Sequence, residues 1–380
     1  AQYEGTVADG GGVPQCSVGC DAHIVPRTSK IHEKIQTHAQ KPEIVKEVHM
    51  AKITILGAGG FGVSLAIAAF QNGHTVTVWD ISQQIVDAIL RDGEHKTKLP
   101  GVKIPKGIGF TTDPVCMEHS DMVVFVVPSL YIRSVAQRVK PYLDENVILV
   151  NASKGLEEKT FLTMSQIIQS EYPDNAVGVI TGPSHAEEVG RGVPTTVVAA
   201  SKNEAAAVRI QETFSSHTLR IYINTDPVGC EIGGALKNII ALAAGICDGL
   251  HCGDNTKAAL MTRGIHEITN LGVKMGGRAE TFGGLSGIGD LIVTCCSMHS
   301  RNRRAGILIG EGTSPEDAVK QVGTVEGYYC CHAAWELAQQ HGVSMPITEQ
   351  LYHILFDGAD PQQALNNLMN RPKKHEYEEF

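Results

Sequence analysis

An apolar, β-branched run, Lys52-Ile53-Thr54-Ile55-Leu56, enters a turn in which Gly57, Gly59 and Gly62 stand at the G-x-G-x-x-G spacing. Ser64 to Phe70 then continues as an apolar helix. Each glycine has a physical task in such a turn: one makes it tight, one lets the backbone approach a pyrophosphate, one lets helix pack on strand. The helix N-terminus presents free N–H groups and partial positive charge to phosphate oxygens. A second β-branched run, Thr75-Val76-Thr77-Val78-Trp79, ends at Asp80, 18 residues beyond Gly62. A carboxylate there can accept a ribose 2′-hydroxyl and repels a 2′-phosphate. Alternatively it is only a turn or helix-cap aspartate. With the glycines correctly placed upstream, the pattern predicts a dinucleotide site that prefers NAD, with use of NADP left open.

From 52 to about 225, short β-branched runs alternate with helical stretches. Strands are expected at 52–56, 75–79, 108–111, 122–127, 147–150, 176–180, 196–200 and 219–223. Near-continuous apolar strands imply burial on both faces, hence a mainly parallel sheet flanked by helices. After Asp226-Pro227 the texture becomes helical throughout, with segments expected at 228–247, 256–275, 302–310, 315–322, 326–341, 345–356 and 361–369. The expected architecture is an α/β Rossmann-type dinucleotide-binding domain over 50–226 and an all-α domain over 227–370, closed by a tail at 371–380. Residues 1–49 hold few large apolar residues and show no helical periodicity. They also lack the apolar core of a secretory signal and the Arg/Ser-rich character of a transit peptide. They read as a disordered or appended extension before Met50.

The chain carries a formal charge of −9 and no Lys/Arg-rich run of the kind that grips nucleic acid. No apolar stretch reaches membrane-spanning length without a charge or a glycine-rich break. The cysteines do not stand at metal-ligand spacings, and the adjacent pairs Cys295-Cys296 and Cys330-Cys331 suit disulfides poorly. Reduced thiols, no metal and a cytoplasmic location are therefore expected.

Chemistry-bearing residues gather at the ligand edge of the sheet and in the helical half. Lys154 follows strand 147–150, where a lysine is either a solvated surface group or a site residue. Lys237 lies in Gly233-Gly234-Ala235-Leu236-Lys237-Asn238, a helix otherwise apolar or small, where a charge is costly unless paired or functional. A glycine-rich stretch, Gly283 to Gly289, delivers Asp290, which is either a helix cap or a partner for Lys237. In Ser300-Arg301-Asn302-Arg303-Arg304, one inward arginine would suffice to bind a phosphate bidentately. Ser184 and Glu187 have the capping-box spacing, which predicts a helix start at Ser184. His185 between them is a conceivable acid or base but reads as a cap neighbour.

Taken together, these motifs resemble the NAD(P)-dependent glycerol-3-phosphate dehydrogenases of the bacterial type. The segments are Leu-Gly-Ala-Gly-Gly-Phe-Gly (56–62), Val-Val-Pro-Ser (126–129), Ser-Lys-Gly (153–155), Thr-Gly-Pro-Ser (181–184) and Gly-Gly-Ala-Leu-Lys-Asn (233–238). Ala-Ala-Leu-Met-Thr-Arg-Gly (258–264), Gly-Ile-Gly-Asp-Leu (287–291), Ser-Arg-Asn-Arg-Arg (300–304), Val-Glu-Gly (325–327) and Met-Pro-Ile-Thr (345–348) follow in order. The resemblance spans residues 51 to about 370. It implies reversible reduction of dihydroxyacetone phosphate to sn-glycerol 3-phosphate, which supplies glycerophospholipid synthesis, and a helical domain like that of 6-phosphogluconate dehydrogenase. By the same resemblance Lys237 is the proton donor and acceptor, Lys154 contacts substrate and cofactor, and Asp290 holds the substrate hydroxyl and Lys237. Ser300, Arg301 and Asn302 clasp the phosphate, with Gly182 and Ser184 nearby. Gly60, Phe61, Ala186, Arg301 and Glu326 match cofactor-contacting positions, and a homodimer is implied. Asp80 departs from the small or basic residue common in NADP-using members, which favours NADH. A β-hydroxyacid-type dehydrogenase acting on a carboxylate, or a sensor that binds NADH without turnover, would share the nucleotide fold. The 300–304 cluster and the two lysines speak against them.

Overall fold

The computed structural model describes residues 50–373 with 375 and 376, so the expected extension over 1–49 and half of the expected tail lie outside the described residues. Eight strands, β1 (Lys52–Leu56), β2 (Thr75–Trp79), β3 (Gly109–Thr111), β4 (Met122–Phe125), β5 (Ile148–Asn151), β6 (Val177–Thr181), β7 (Thr195–Ser201) and β8 (Leu219–Asn224), form one sheet in the order β3-β2-β1-β4-β5-β6-β7-β8. Every pairing is parallel except β6 with β7, so β7 and β8 run against the other six. The order reverses between β1 and β4, and ligands of such sheets bind beyond the strand ends at that switch point. The near-continuous apolar runs are buried as expected of strands covered on both faces, with β4 and β6 buried throughout.

Helices α1 (Gly60–Gln71), α2 (Gln83–Asp92), α3 (Ile132–Val139), α4 (Met164–Glu171), α5 (Ala186–Gly190) and α6 (Glu204–Phe214) accompany the sheet. The rest of the described chain is helical: α7 (Pro227–Gly249), α8 (Asp254–Lys274), α9 (Ala279–Phe282), α10 (Asp290–Cys296), α11 (Arg301–Gly310), α12 (Pro315–Val322), α13 (Glu326–His341), α14 (Pro346–Phe356) and α15 (Pro361–Met369). Local chemistry sets the starts. Asp226 caps α7 and Pro227 fills its first turn, and Ser314-Pro315 and Asp360-Pro361 repeat the device. Asp226 also accepts from Arg278 N at 2.8 Å and Thr281 Oγ1 at 2.7 Å, which ties the turn between β8 and α7 to α9.

α7 is long and apolar enough to span a membrane, yet its apolar window is entirely enclosed by protein. It is the central post of the helical half. α11 crosses it so closely that a Cβ at Gly306 would lie 2.1 Å from the Leu242 carbonyl, and one at Gly245 2.1 Å from the Arg303 carbonyl. Only glycines permit that approach, and it fixes the start of α11 relative to Lys237 on α7. Glu231, also on α7, is buried and accepts from Asn151 Nδ2 at 2.8 Å and Ser165 N at 2.9 Å. It thereby bolts the helical half to the end of β5 and the start of α4. Burial pushes its carboxyl above the usual range, while the hydrogen bonds from Ser165, Thr163 and Asn151 oppose the shift.

One local expectation is corrected and one element is added. No helix was expected between 276 and 301, yet Leu285–Gly289 forms a π-helical turn that runs into α10. The capping box at Ser184 does not form. His185 occupies the N-cap of α5 with no side-chain cap, and Ser184 Oγ instead donates to the Gly182 carbonyl at 3.0 Å.

Candidate active site

The turn after β1 shows how its glycines divide their work. Gly57 has φ 112°, and a Cβ there would lie 2.7 Å from the Val126 carbonyl. A Cβ at Gly62 would lie 2.0 Å from the Gly57 carbonyl, so this glycine is needed for helix to meet strand. Gly59, the N-cap of α1, faces open space, with nothing within 4 Å of a Cβ built on it. α1 has no side-chain cap and no acidic residue in its first turn. Its leading N–H groups are thus left for an anion, over a glycine cradle that a side chain would fill. These features fit a dinucleotide pyrophosphate.

Asp80 has a double role. Its Oδ2 accepts from Ala58 N and its Oδ1 from Ser82 N, both at 2.8 Å. It therefore ties the glycine turn to the end of β2, as a turn aspartate would. Each carboxylate oxygen keeps further acceptor capacity, so a ribose hydroxyl can still be bound.

The sheet's carboxyl edge and α10 bring Lys154, Lys237 and Asp290 into one cluster. Asp290 Oδ1 accepts from Lys237 Nζ and Oδ2 from Lys154 Nζ, each at 2.5 Å. Lys237 Nζ also donates to Thr294 Oγ1 at 2.6 Å, and Lys154 Nζ to the Gly182 carbonyl at 3.0 Å. Each ammonium carries three N–H donors, and these bonds use two, so each keeps one for a ligand oxygen. Lys237 and Asp290 are almost fully buried, and Lys154 is about a fifth exposed.

The electrostatics follow from that placement. Burial is the main force on Lys237 and, helped by the positive Lys154, brings its pKa down to about 8 against the pull of Asp290. Burial likewise opposes charge on Asp290, but the two ammonium groups prevail and hold its carboxyl below the ordinary value. Two cations and one anion leave the pocket with one net positive charge.

The segment leaving β6 joins the two regions. The Gly182 carbonyl holds Lys154, while Ala186 lies against the glycine turn: Ser64 Oγ donates to its carbonyl at 2.8 Å, and its Cβ would be 3.3 Å from a Cβ at Gly60. On the helical side Ser300 Oγ caps α11 by accepting from Arg303 N at 3.2 Å. Asn302 Oδ1 accepts from Gly327 N at 2.8 Å, and its Nδ2 donates to Asn238 Oδ1 at 3.0 Å. Arg303 is committed elsewhere, to Asp248 at 2.7 Å, and Arg301 and Arg304 are exposed. Glu326 opens α13 and accepts from Ser129 Oγ at 3.1 Å, and burial raises its carboxyl pKa. Phe61 is half-buried in the first turn of α1.

Thr294 was not singled out from the sequence. It stands four residues after Asp290, on the same face of α10, and its hydroxyl also donates to the Asp290 carbonyl at 2.6 Å. Recognising 290–296 as a helix would have exposed it.

The model of the NAD-dependent glycerol-3-phosphate dehydrogenase N-terminus matches residues 52–207, and that of the C-terminus matches 226–366. A glycerol-3-phosphate dehydrogenase [NAD(P)+] of Clostridium perfringens is 50% identical over 329 residues, covering 86% of this chain and 99% of the relative. The protein of the same name from Desulfitobacterium hafniense is 50% identical over 331 residues, covering 87% and 94%. The crystal structure of glycerol-3-phosphate dehydrogenase from Coxiella burnetii superposes with a TM-score of 0.81 at 37% identity, covering 85% of this chain and 99% of that one.

Proposed function

The chain belongs to the NAD-dependent glycerol-3-phosphate dehydrogenase family, and on that premise we propose that Lys237 is the proton donor and acceptor of its reaction. The enzyme interconverts dihydroxyacetone phosphate and sn-glycerol 3-phosphate with NAD(P)H or NAD(P)+. The hydroxyacid alternative is not favoured, since every relative named above is a glycerol-3-phosphate dehydrogenase.

The nicotinamide, when bound, supplies a hydride to the substrate's C2 or accepts one from it. Negative charge then grows on the C2 oxygen, which needs a positive field and a proton. The remaining N–H of Lys237 delivers that proton, and the remaining N–H of Lys154 stabilises the oxygen. Asp290 holds both amines in place, and Thr294 fixes the direction of Lys237. In the reverse direction neutral Lys237 takes the hydroxyl proton. The observation that carries this reading is a buried lysine, lowered to about 8, bridged by one carboxylate to a second lysine at the sheet's ligand edge.

The phosphate is assigned to Ser300, Arg301 and Asn302 at the start of α11, with Gly182 and Ser184 at its margin. Gly57, Gly59, Gly60, Phe61, Gly62, Asp80, Lys154, Ala186, Arg301 and Glu326 are assigned to the cofactor, with NADH preferred because Asp80 repels a 2′-phosphate. Residues 50–226 serve as the nucleotide domain and 227–370 as the substrate domain. This division is supported by the change of texture at Asp226-Pro227 and the nearby boundary between the matched halves. The family resemblance supports a cytoplasmic homodimer.

Initial rates of NADH and NADPH oxidation, with dihydroxyacetone phosphate and with dihydroxyacetone, test the proposal. Fast, phosphate-dependent oxidation of NADH with a slower rate for NADPH is expected. Equal use of NADPH would overturn the role of Asp80.

A further inference from the structure

Among the described residues, four buried side-chain polar atoms have no hydrogen-bond partner: His74 Nε2, Thr181 Oγ1, His185 Nε2 and Asn270 Oδ1. Thr181 and His185 both lie where β6 runs out beside Lys154. Buried polar atoms are nearly always satisfied, so an orphan at a ligand site asks which ligand atom completes it.

The surroundings of His185 narrow the answer. Its ring centroid is 5.6 Å from that of His299, the residue immediately before the Ser300 cap of α11. The charges that act on it are those of Lys237 on α7, Lys154 after β5, Asp290 on α10 and Glu187 on its own helix. His185 is thus near both the cluster proposed to hold the C2 oxygen and the helix start proposed to hold the phosphate. Burial, and then the two lysines, lower its pKa, so the imidazole is neutral at pH 7 and one ring nitrogen carries the proton. The C2 oxygen already has an N–H from each lysine. Of the residues assigned to the phosphate, Asn302 is partly engaged by Asn238 and Gly327, and Arg301 is exposed.

We infer that His185 Nε2–H donates a hydrogen bond to a phosphate oxygen of bound dihydroxyacetone phosphate, facing the start of α11 across the substrate, and so helps select phosphorylated substrate. This rests on the proposed placement of the C2 oxygen at Lys237 and the phosphate at Ser300–Asn302. No bond is made or broken in the step. His185 contributes a donor to the bound ester.

The test uses the intact enzyme with saturating NADH. His185→Phe keeps a flat ring and removes both nitrogens, while His185→Gln returns a donor without the ring. For His185→Phe, KM for dihydroxyacetone phosphate should rise about tenfold, a shift of the size one lost hydrogen bond to a charged group produces. Its kcat should stay within about twofold, and its kcat/KM for unphosphorylated dihydroxyacetone should be unchanged. His185→Gln should recover most of the lost affinity. An equal fall for both substrates would show that the ring only packs, and an unchanged KM would show no contact; either result overturns the assignment. If the wild-type enzyme itself shows no preference for the phosphorylated substrate, the parent reading fails. If the wild type prefers it and His185→Phe keeps the full preference, only the His185 assignment fails.

Discussion

Asp290→Asn isolates the carboxylate that couples the two lysines. Asn keeps the size and one acceptor for Lys237 but removes the negative charge 2.5 Å from both ammonium nitrogens. Two unit charges about 4 Å apart interact by about 4 kcal/mol at an effective dielectric of about 20. Relaxation of the site would reduce the realised change to roughly 3 kcal/mol, or about two pH units at 1.36 kcal/mol each. Lys237, already lowered to about 8, should therefore titrate near about 6 in the variant. With Lys237 as the proposed proton donor, reduction of dihydroxyacetone phosphate needs the protonated amine, so its rate is high below this pKa and falls as pH rises through it. Oxidation of glycerol 3-phosphate needs the neutral amine and has the opposite slope. The assay is kcat/KM for both directions between pH 5 and pH 9, taken as the ratio of variant to wild type. The substrate's own phosphate titration, near pH 6, cancels in that ratio. The falling limb of the reduction should move down by about two pH units. At pH 7 protonation alone would then cost the reduction about tenfold. A limb that stays in place or moves upward would refute the electrostatic account of the cluster.

Two further predictions concern parts of the molecule with distinct tasks. Gly59→Ala should fold with nearly wild-type stability, because its Cβ meets nothing within 4 Å, yet bind NADH at least about tenfold more weakly, read by fluorescence quenching. Gly62→Ala should instead lose about 3 kcal/mol of stability, since its Cβ would collide with the Gly57 carbonyl; comparable melting of the two variants would contradict this division. Glu267 on α8 is buried, accepts from Ile347 N at 2.7 Å and Thr348 N at 3.2 Å, and is pushed by burial up to about 7. A carboxyl raised in the folded state adds stability that is present below its unfolded pKa near 4.5 and lost as pH rises through 7, in all about 3 kcal/mol. The stability of Glu267→Gln relative to wild type should accordingly climb between pH 5 and pH 8 in urea titrations, and a flat difference would show that the burial penalty is offset.

Much of the fold was legible because local pattern and tertiary structure agree. All eight expected strands form, from Lys52–Leu56 to Leu219–Asn224, since β-branched runs between turn signals had no competing period. The major helices of the second half were equally plain, several of them announced by Ser-Pro or Asp-Pro starts. What escaped was the stretch from Ala279 to Cys296, where glycines at 283, 284, 287 and 289 mask helical character. A Cβ at Gly287 would lie 2.0 Å from the Phe282 carbonyl, so packing rather than propensity dictates that glycine. Lys237 was visible as a charge in an apolar helix, with Asp290 as a candidate partner. The second arm of the bridge, from Asp290 to Lys154, was not visible, because it joins residues 136 positions apart. The Glu231 bolt was hidden for the same reason, and Thr294 because α10 itself was missed. At 184–187 the local rule failed: Ser184 turns back to Gly182, and the stretch is shaped by Lys154 and α1 on either side of it.

The central claim is that Lys237 transfers the proton, and Lys237→Ala measured for turnover and cofactor binding on the same preparation tests it most directly. The account predicts a fall in kcat of about a thousandfold, the usual worth of a positioned acid, with NADH affinity within about twofold of wild type. Turnover within tenfold of wild type, with NADH still bound, would assign the proton to another group.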